Sequence, residues 1–201
     1  MPTLPPIELQ APDIRPFASG NTGDVGNITT TFGDGGNFSF RHVSGFDGNI
    51  GNIHATFGTG GYFSFEAMSG GGSDMEIGDT TLSFGTGGNF YWTISGGDYA
   101  NIGAITVTGG SASSSGYVYI GDTSDTTADV MGGVDASAWL GSIYVELDAV
   151  TTGTTIKVGA AGSVVYGTEG ADNIFMGAGV DVFHFDTSPT SVDTIFAFTG
   201  G

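Results

Sequence analysis

From residue 26 onward the chain alternates apolar and polar positions in short runs broken by glycine. Ile28, Thr30 and Phe32 alternate with Thr29 and Thr31, and after a glycine-rich turn the alternation resumes at Phe38 and Phe40 around Ser39. Period-two alternation over four to six residues predicts β-strands with one buried and one solvated face. The segment Thr31-Phe32-Gly33-Asp34-Gly35-Gly36-Asn37-Phe38-Ser39-Phe40 returns as Thr56 to Phe65 and again as Ser83 to Trp92, at spacings of 25 and 27 residues. Gly26-Asn27-Ile28 and Gly51-Asn52-Ile53 keep the same period upstream. A worn fourth copy runs from Ile105-Thr106-Val107 through a Ser/Gly loop to Tyr117-Val118-Tyr119-Ile120. A period of this size signals a repeat architecture.

Each copy reads as strand, glycine turn, strand, and the simplest such unit is an antiparallel hairpin. A five-residue loop from Gly33 to Asn37 sets Phe32 opposite Phe38 and puts every phenylalanine of the copy on one face, because directly opposed residues share a face. The other face then carries Thr29, Thr31, Ser39 and Arg41. Its counterparts are His54, Thr56, Ser64 and Glu66, followed by Thr81, Ser83, Tyr91 and Thr93. A sheet with one aromatic face needs a cover. Either a second sheet from residues 100–160 supplies it, or another copy of the protein does. No long helix is expected, and only the short stretch Val134 to Leu140 tolerates one.

Residues 1–20 hold five of the six prolines, interleaved with Leu4, Ile7, Leu9, Ile14 and Phe17. This spacing predicts extended chain. The arm is either a loose leader or a strand-like segment docked on its own chain or a neighbour. The sequence thus divides into an extended arm (1–25), a glycine/aromatic repeat region (26–145) and a tail (146–201).

Charge narrows the partners. Among 201 residues, 21 acidic side chains face three basic ones (Arg15, Arg41 and Lys157), a net charge of −18. Nucleic acid and anionic lipid would be repelled. No run approaches the ~18 apolar residues that span a bilayer, so membrane insertion is not expected. Without cysteine there are no disulfides, zinc–thiolate sites or cysteine nucleophiles. Met1-Pro2-Thr3-Leu4-Pro5-Pro6 lacks the basic and apolar regions of a cleaved signal peptide. A surplus of carboxylates suits a hard cation such as calcium.

The tail carries the one motif with a defined chemistry. Gly167-Thr168-Glu169-Gly170-Ala171-Asp172-Asn173-Ile174-Phe175 is followed by Met176-Gly177-Ala178-Gly179-Val180-Asp181-Val182-Phe183-His184. Leu147, Ile156, Val165, Ile174 and Phe183 are apolar at intervals of nine, while the aspartate slot reads Val145, Thr154, Ser163, Asp172, Asp181. The last two units resemble the nonapeptides of the RTX (haemolysin-type calcium-binding) repeat, with Thr168 and Met176 standing where that pattern has glycine. The resemblance implies a short parallel β-roll holding Ca2+, with carboxylate oxygens from Asp172 and Asp181 and mainly backbone carbonyls from Gly167, Glu169, Gly177 and Gly179. Asp186 and the run Asp193-Thr194-Ile195-Phe196-Ala197-Phe198 resemble the segment downstream of such repeats in proteins exported by type I secretion. An extracellular or cell-surface location is therefore expected. The fold expected for the whole chain is all-β: repeated antiparallel β-hairpins in a sandwich or solenoid-like sheet, ending in a short C-terminal parallel β-roll.

Other candidates are weaker. Asp122, Asp125 and Asp129 form an acidic run read as a solvated turn, with a second calcium clasp as the alternative. His42, His54 and His184 sit in no nucleophile motif. Nothing marks a carboxylate pair among Glu66, Glu76 and Glu146. No catalytic residue is assigned, and an enzyme is not expected. The expected function is a secreted, calcium-dependent structural protein that assembles with copies of itself into a surface layer, filament or matrix. The alternative is an extracellular binding module for carbohydrate or ice, resting on the hydroxyl-rich face and on Tyr62, Tyr91, Tyr117 and Tyr119. Against ice, no strict Thr-x-Thr pattern recurs in every copy.

Overall fold

The structure is a computed structural model that describes residues 7–9, 13–14, 17–18, 24–42, 48–67, 75–95, 97–121, 126–184 and 191–196. The described residues form 21 strands and no helix. One long sheet contains β1 (Ile7–Leu9), β4 (Ile28–Thr31), β6 (Ile53–Phe57), β9 (Thr80–Phe84), β12 (Ile105–Gly109), β15 (Val134–Trp139), β17 (Thr155–Lys157), β19 (Asn173–Phe175) and β21 (Thr194–Phe196), in that order. A second contains β2 (Asp13–Ile14), β5 (Asn37–His42), β7 (Tyr62–Ala67), β10 (Asn89–Ile94), β13 (Ser115–Ile120), β16 (Ser142–Glu146), β18 (Val164–Tyr166) and β20 (Val182–His184), with β3 (Phe17–Ala18) also on β5. A third, short sheet joins β8 (Met75–Ile77), β11 (Gly97–Ile102) and β14 (Thr126–Met131). Every pairing is parallel, and the chain is a β-solenoid.

The all-β solenoid expectation stands, but the antiparallel hairpins do not. β4 and β5 lie in different sheets, so the glycine turn between them is a corner of the coil, reached with Gly35 at φ 71°. Gly60 and Gly87 make the same corner one and two coils later, at φ 78° and 81°. Both arrangements alternate inward and outward residues, which is why the sequence pattern cannot tell them apart. The coil covers the aromatic face without outside help. The sides of each turn face one another across the interior, so neither residues 100–160 nor a second copy is needed for the rings of the first coils.

Parallel stacking sets each residue on its counterpart one coil away. Phe38 pairs with Phe63, and Phe40 with Phe65, in register. Their rings stack at 5.0 and 5.3 Å, close to the ~4.8 Å between strands. Phe32, Phe57 and Phe84 form a second column at 5.0 and 4.7 Å, and Trp92 extends the Phe40–Phe65 column at 5.2 Å. Trp139 ends the wide part of the interior, edge-on to Phe84 and Phe90 at 5.4 Å each.

The worn fourth copy is a true coil, with β12 on β9 and β13 on β10. Val134 to Trp139, the stretch open to a helical turn, is strand β15. The N-terminal arm docks on its own chain: Ile7 pairs with Ile28, and Phe17 with Arg41. Both long sheets run without a break into the tail, through β15–β17 and β16–β18. There the coil tightens until Thr154 and Asp172 are neighbours at a separation of 18 residues. Its strands shorten to three residues, and Ile156, Val165 and Ile174 at their centres are buried.

Candidate functional site

The six tail residues fall on two opposite corners. Gly167, Glu169 and Asp172 lie between β18 and β19, while Gly177, Gly179 and Asp181 lie between β19 and β20. The coil keeps these sets apart, so they form two separate half-sites. The first stacks on the corner containing Thr154 and the second on that containing Ser163.

Glycine is required here for inter-coil contact. None of Gly167, Gly170, Gly177 and Gly179 has positive φ. A Cβ at Gly170 would strike the backbone of Gly153, one at Gly177 the carbonyl of Gly159, and one at Gly179 the backbone of Gly162. The corners rest backbone on backbone.

The aspartates staple these corners. Asp172 is buried, and its carboxylate accepts bonds from Thr154 N (2.7 Å), Thr168 N (2.7 Å) and Thr168 Oγ1 (2.8 Å). Burial raises its pKa above the usual carboxylate range and Asp193 adds to the rise, while the Thr154 and Thr168 donors pull the other way. Asp181 accepts from Ser163 N (2.8 Å) and Gly177 N (2.9 Å), and Asp193 accepts from Asp172 N at 3.0 Å.

Tested against calcium, this donor set is a partial fit. Three acceptor positions on Asp172 are filled by N–H and O–H donors, so Asp181, with two filled, has more capacity for a cation. Among the described residues no three His, Cys, Asp or Glu side chains cluster to hold a metal. Calcium would have to draw most of its six to eight oxygens from backbone carbonyls. Asp186, Asp122 and Asp125 lie outside the described residues, as does the side chain of Asp129.

No protein-family model, curated protein or solved structure matches the chain. The likeness of the tail to the RTX repeat therefore rests on its motif residues alone.

The outer faces hold the remaining candidates. On the first sheet, Thr29, His54, Thr81 and Thr106 lie in one file, and Thr31, Thr56, Ser83 and Thr108 in the next. The copies that looked irregular in sequence thus form a two-file array of mostly hydroxyl side chains.

On the second sheet, Tyr91, Tyr117 and Tyr144 stack at 4.9 and 5.1 Å; Tyr166 and His184 carry the series on at 5.7 and 4.0 Å. Tyr144 donates to Glu146, and burial together with Glu146 pushes its phenol pKa up. A parallel file, Tyr62, Asn89, Ser115 and Ser142, runs beside the tyrosines. Between the two files lies a groove of 610 Å³. Tyr144, Tyr166, Asn89 and Ser115 were not singled out from the sequence. Their signal, a polar or aromatic residue at outward positions, emerges only once the register is known.

The other sequence candidates have structural partners. Glu66 pairs with Arg41 at 3.0 Å, and Glu76 accepts from Asn101 at 3.2 Å. Glu66 and Glu146 lie three strands apart, about 14 Å at the usual strand spacing. That exceeds the ~5–9.5 Å between the carboxyls of a glycosidase pair. His54 is exposed in the hydroxyl array, His184 stacks on Tyr166, and the side chain of His42 lies outside the described residues.

Proposed function

We propose that the protein is an exported structural rod that packs with copies of itself into an extracellular layer, filament or matrix, with calcium easing contact between anionic protomers. The observation that carries this reading is the in-register parallel solenoid itself. Like side chains stack on like through the first three copies, and the last strands, β20 and β21, pair on one side only among the described residues. One-sided parallel strands are a template for strand addition. Phe196 and Val182 at that end are 42% and 45% exposed. Protomers of charge −18 repel one another, so a divalent cation favours their approach.

The test is sedimentation velocity and electron microscopy of the full chain in millimolar calcium and then in chelator. Assembly in calcium that dissolves with chelator, and weakens in Asp181→Ala, supports the proposal. A monomer under both conditions refutes it.

The hydroxyl array favours a second reading, an ice-binding face. Its files are regular, and neighbouring hydroxyls engage one another, as in Thr108 Oγ1 to Ser83 Oγ at 3.3 Å. Inhibition of ice recrystallisation that Thr81→Lys abolishes would favour it over the structural rod, and no inhibition would remove it.

A further inference from the structure

We propose that the groove on the second sheet binds a neutral, extended, β-1,4-linked polysaccharide running along the solenoid axis. One wall is the stack Tyr91, Tyr117, Tyr144, and the other is the file Asn89, Ser115, Ser142. Tyr62 stands at one end and Val164 at the other, so the groove crosses five strands, β7 to β18. Four steps of ~4.8 Å make it about 19 Å long.

Three properties select this ligand class. The first is repeat length. The three central strands β10, β13 and β16 each offer one phenol on one side and one hydroxyl or amide on the other, at a step of 4.9 to 5.1 Å between rings. That step is close to the advance per sugar in an extended β-linked hexose chain, so successive sugars keep step with successive strands, neighbouring sugars turning opposite edges to each wall. A coiled α-linked chain would lose the match after one or two units.

The second is the chemistry of the walls. Within the stack the tyrosines cover one another's faces and present edges and hydroxyls, which suits hydrogen bonding to sugar hydroxyls along the length. At the start of the stack Tyr91 lies opposite Ser64, whose side chain is too short to cover a ring. Tyr91 and Tyr62 are 39% and 43% exposed. They are the most exposed aromatic side chains of the groove, where a sugar can meet aromatic surface as well as hydrogen-bonding groups.

The third is charge. No charged side chain lines the groove, while the chain carries −18 overall. A polyanionic glycan is repelled by the whole field and gains no cation in the groove to offset it. A neutral chain meets neither obstacle.

Isothermal titration calorimetry of the full chain with cellotetraose and tetra-N-acetylchitotetraose, both neutral, tests the proposal. At least one of them should bind ten times or more tighter than its disaccharide, since four strands can be engaged in place of two. Tyr91→Ala should weaken binding at least tenfold. Tyr62→Ala, at an exposed site outside the stack, should weaken it several-fold with no change in melting temperature, which separates a lost contact from a damaged fold. Thr81→Ala on the opposite sheet should leave affinity unchanged.

Any of four results would overturn the proposal: no heat from either tetrasaccharide at millimolar concentration, equal binding of maltotetraose, equal binding of tetragalacturonate, or wild-type affinity in both tyrosine variants. None of these readouts depends on self-association, so the groove can fail while the rod stands, or the reverse.

Discussion

The wide coils between β4 and β15 and the narrow coils from β17 onward share two sheets and one handling of side chains, yet they fill and close themselves differently. A wide coil spends 25 to 29 residues per turn, and the first three copies fill their interior with stacked rings such as Phe40, Phe65 and Trp92. A narrow coil spends 18 to 21 residues and places one apolar residue at the centre of each three-residue strand. Coil length and side-chain volume are therefore coupled, since a short turn has no room for two files of rings. The corners differ as well. At the wide tips Gly35 and Gly60 a Cβ would meet nothing, and positive φ is the constraint. Gly170, Gly177 and Gly179 of the narrow corners lack positive φ, but a Cβ there would strike the preceding coil, as at Gly85 and Gly103.

The largest effect should come from the middle of a ring column. Phe65 is fully buried between Phe40 and Trp92. Phe65→Ala should cost about 3–5 kcal/mol, the usual range for a buried phenylalanine, because coils on both sides hold the cavity open. The loss should appear as faster hydrogen exchange in β5, β7 and β10, with the narrow coils less affected, since each coil touches only its neighbours. A uniform loss over the whole chain would show that the two regions fold as one unit.

The wide region was the more legible in sequence. Alternation placed Phe32, Phe38, Phe40, Phe57, Phe63 and Phe65 inside, and all are buried. It also placed Thr93 outside, where the structure buries it. Strand direction was not legible, because a hairpin and a coil impose the same inward and outward positions on a strand–turn–strand segment. The clue was that copies recur in phase, which stacks like on like only when strands run parallel. In the tail, the nine-residue register correctly marked the central residues of β17 to β20. The role of Asp172 was only partly visible, because a carboxylate that accepts backbone N–H groups and one that binds calcium occupy the same slot.

The staples sharpen the comparison at intermediate size. In the wide coils they are exposed and reach forward: Asn27 accepts from Asn52 N (2.9 Å), Asn52 from Asp79 N (3.0 Å) and Asp79 from Ala104 N (2.8 Å). In the narrow coils they reach backward, and Asp172 is buried. Asp172→Ala should cost about 2–3 kcal/mol, because it strands the N–H groups of the buried residues Thr154 and Thr168. Asn52→Ala should cost about 0.5–1 kcal/mol, because water can replace the lost acceptor. Equal costs by thermal melting would remove the distinction.

The corner glycines should give a smaller but ordered pair. Gly170→Ala meets backbone that cannot yield and should cost about 1–3 kcal/mol, as overpacking does. At Gly60 a Cβ meets nothing within 4 Å, so Gly60→Ala pays only for a left-handed backbone, about 1 kcal/mol. Gly60→Asn, which tolerates that conformation, should recover part of the loss, whereas Gly170→Asn should be worse than Gly170→Ala.

The smallest effects belong to the ion pairs, Arg41–Glu66 in the wide coils and Lys157–Asp135 where the coil begins to tighten. All four side chains are at least a third exposed, so Glu66→Gln and Lys157→Met should each cost below about 1 kcal/mol, and less in high salt. Asp135 adds a pH signature. Burial pushes its carboxyl up, but bonds from Lys157 and Ser137 outweigh burial and hold it below the usual range. A carboxyl with a depressed folded pKa contributes stability that is fully present above its unfolded pKa, near 4, and is lost as pH falls through the folded value. The wild type should therefore lose its advantage over Lys157→Met as pH drops below about 4. An advantage that persisted at lower pH would mean that the contribution of Lys157 does not come from its pairing with the Asp135 carboxylate.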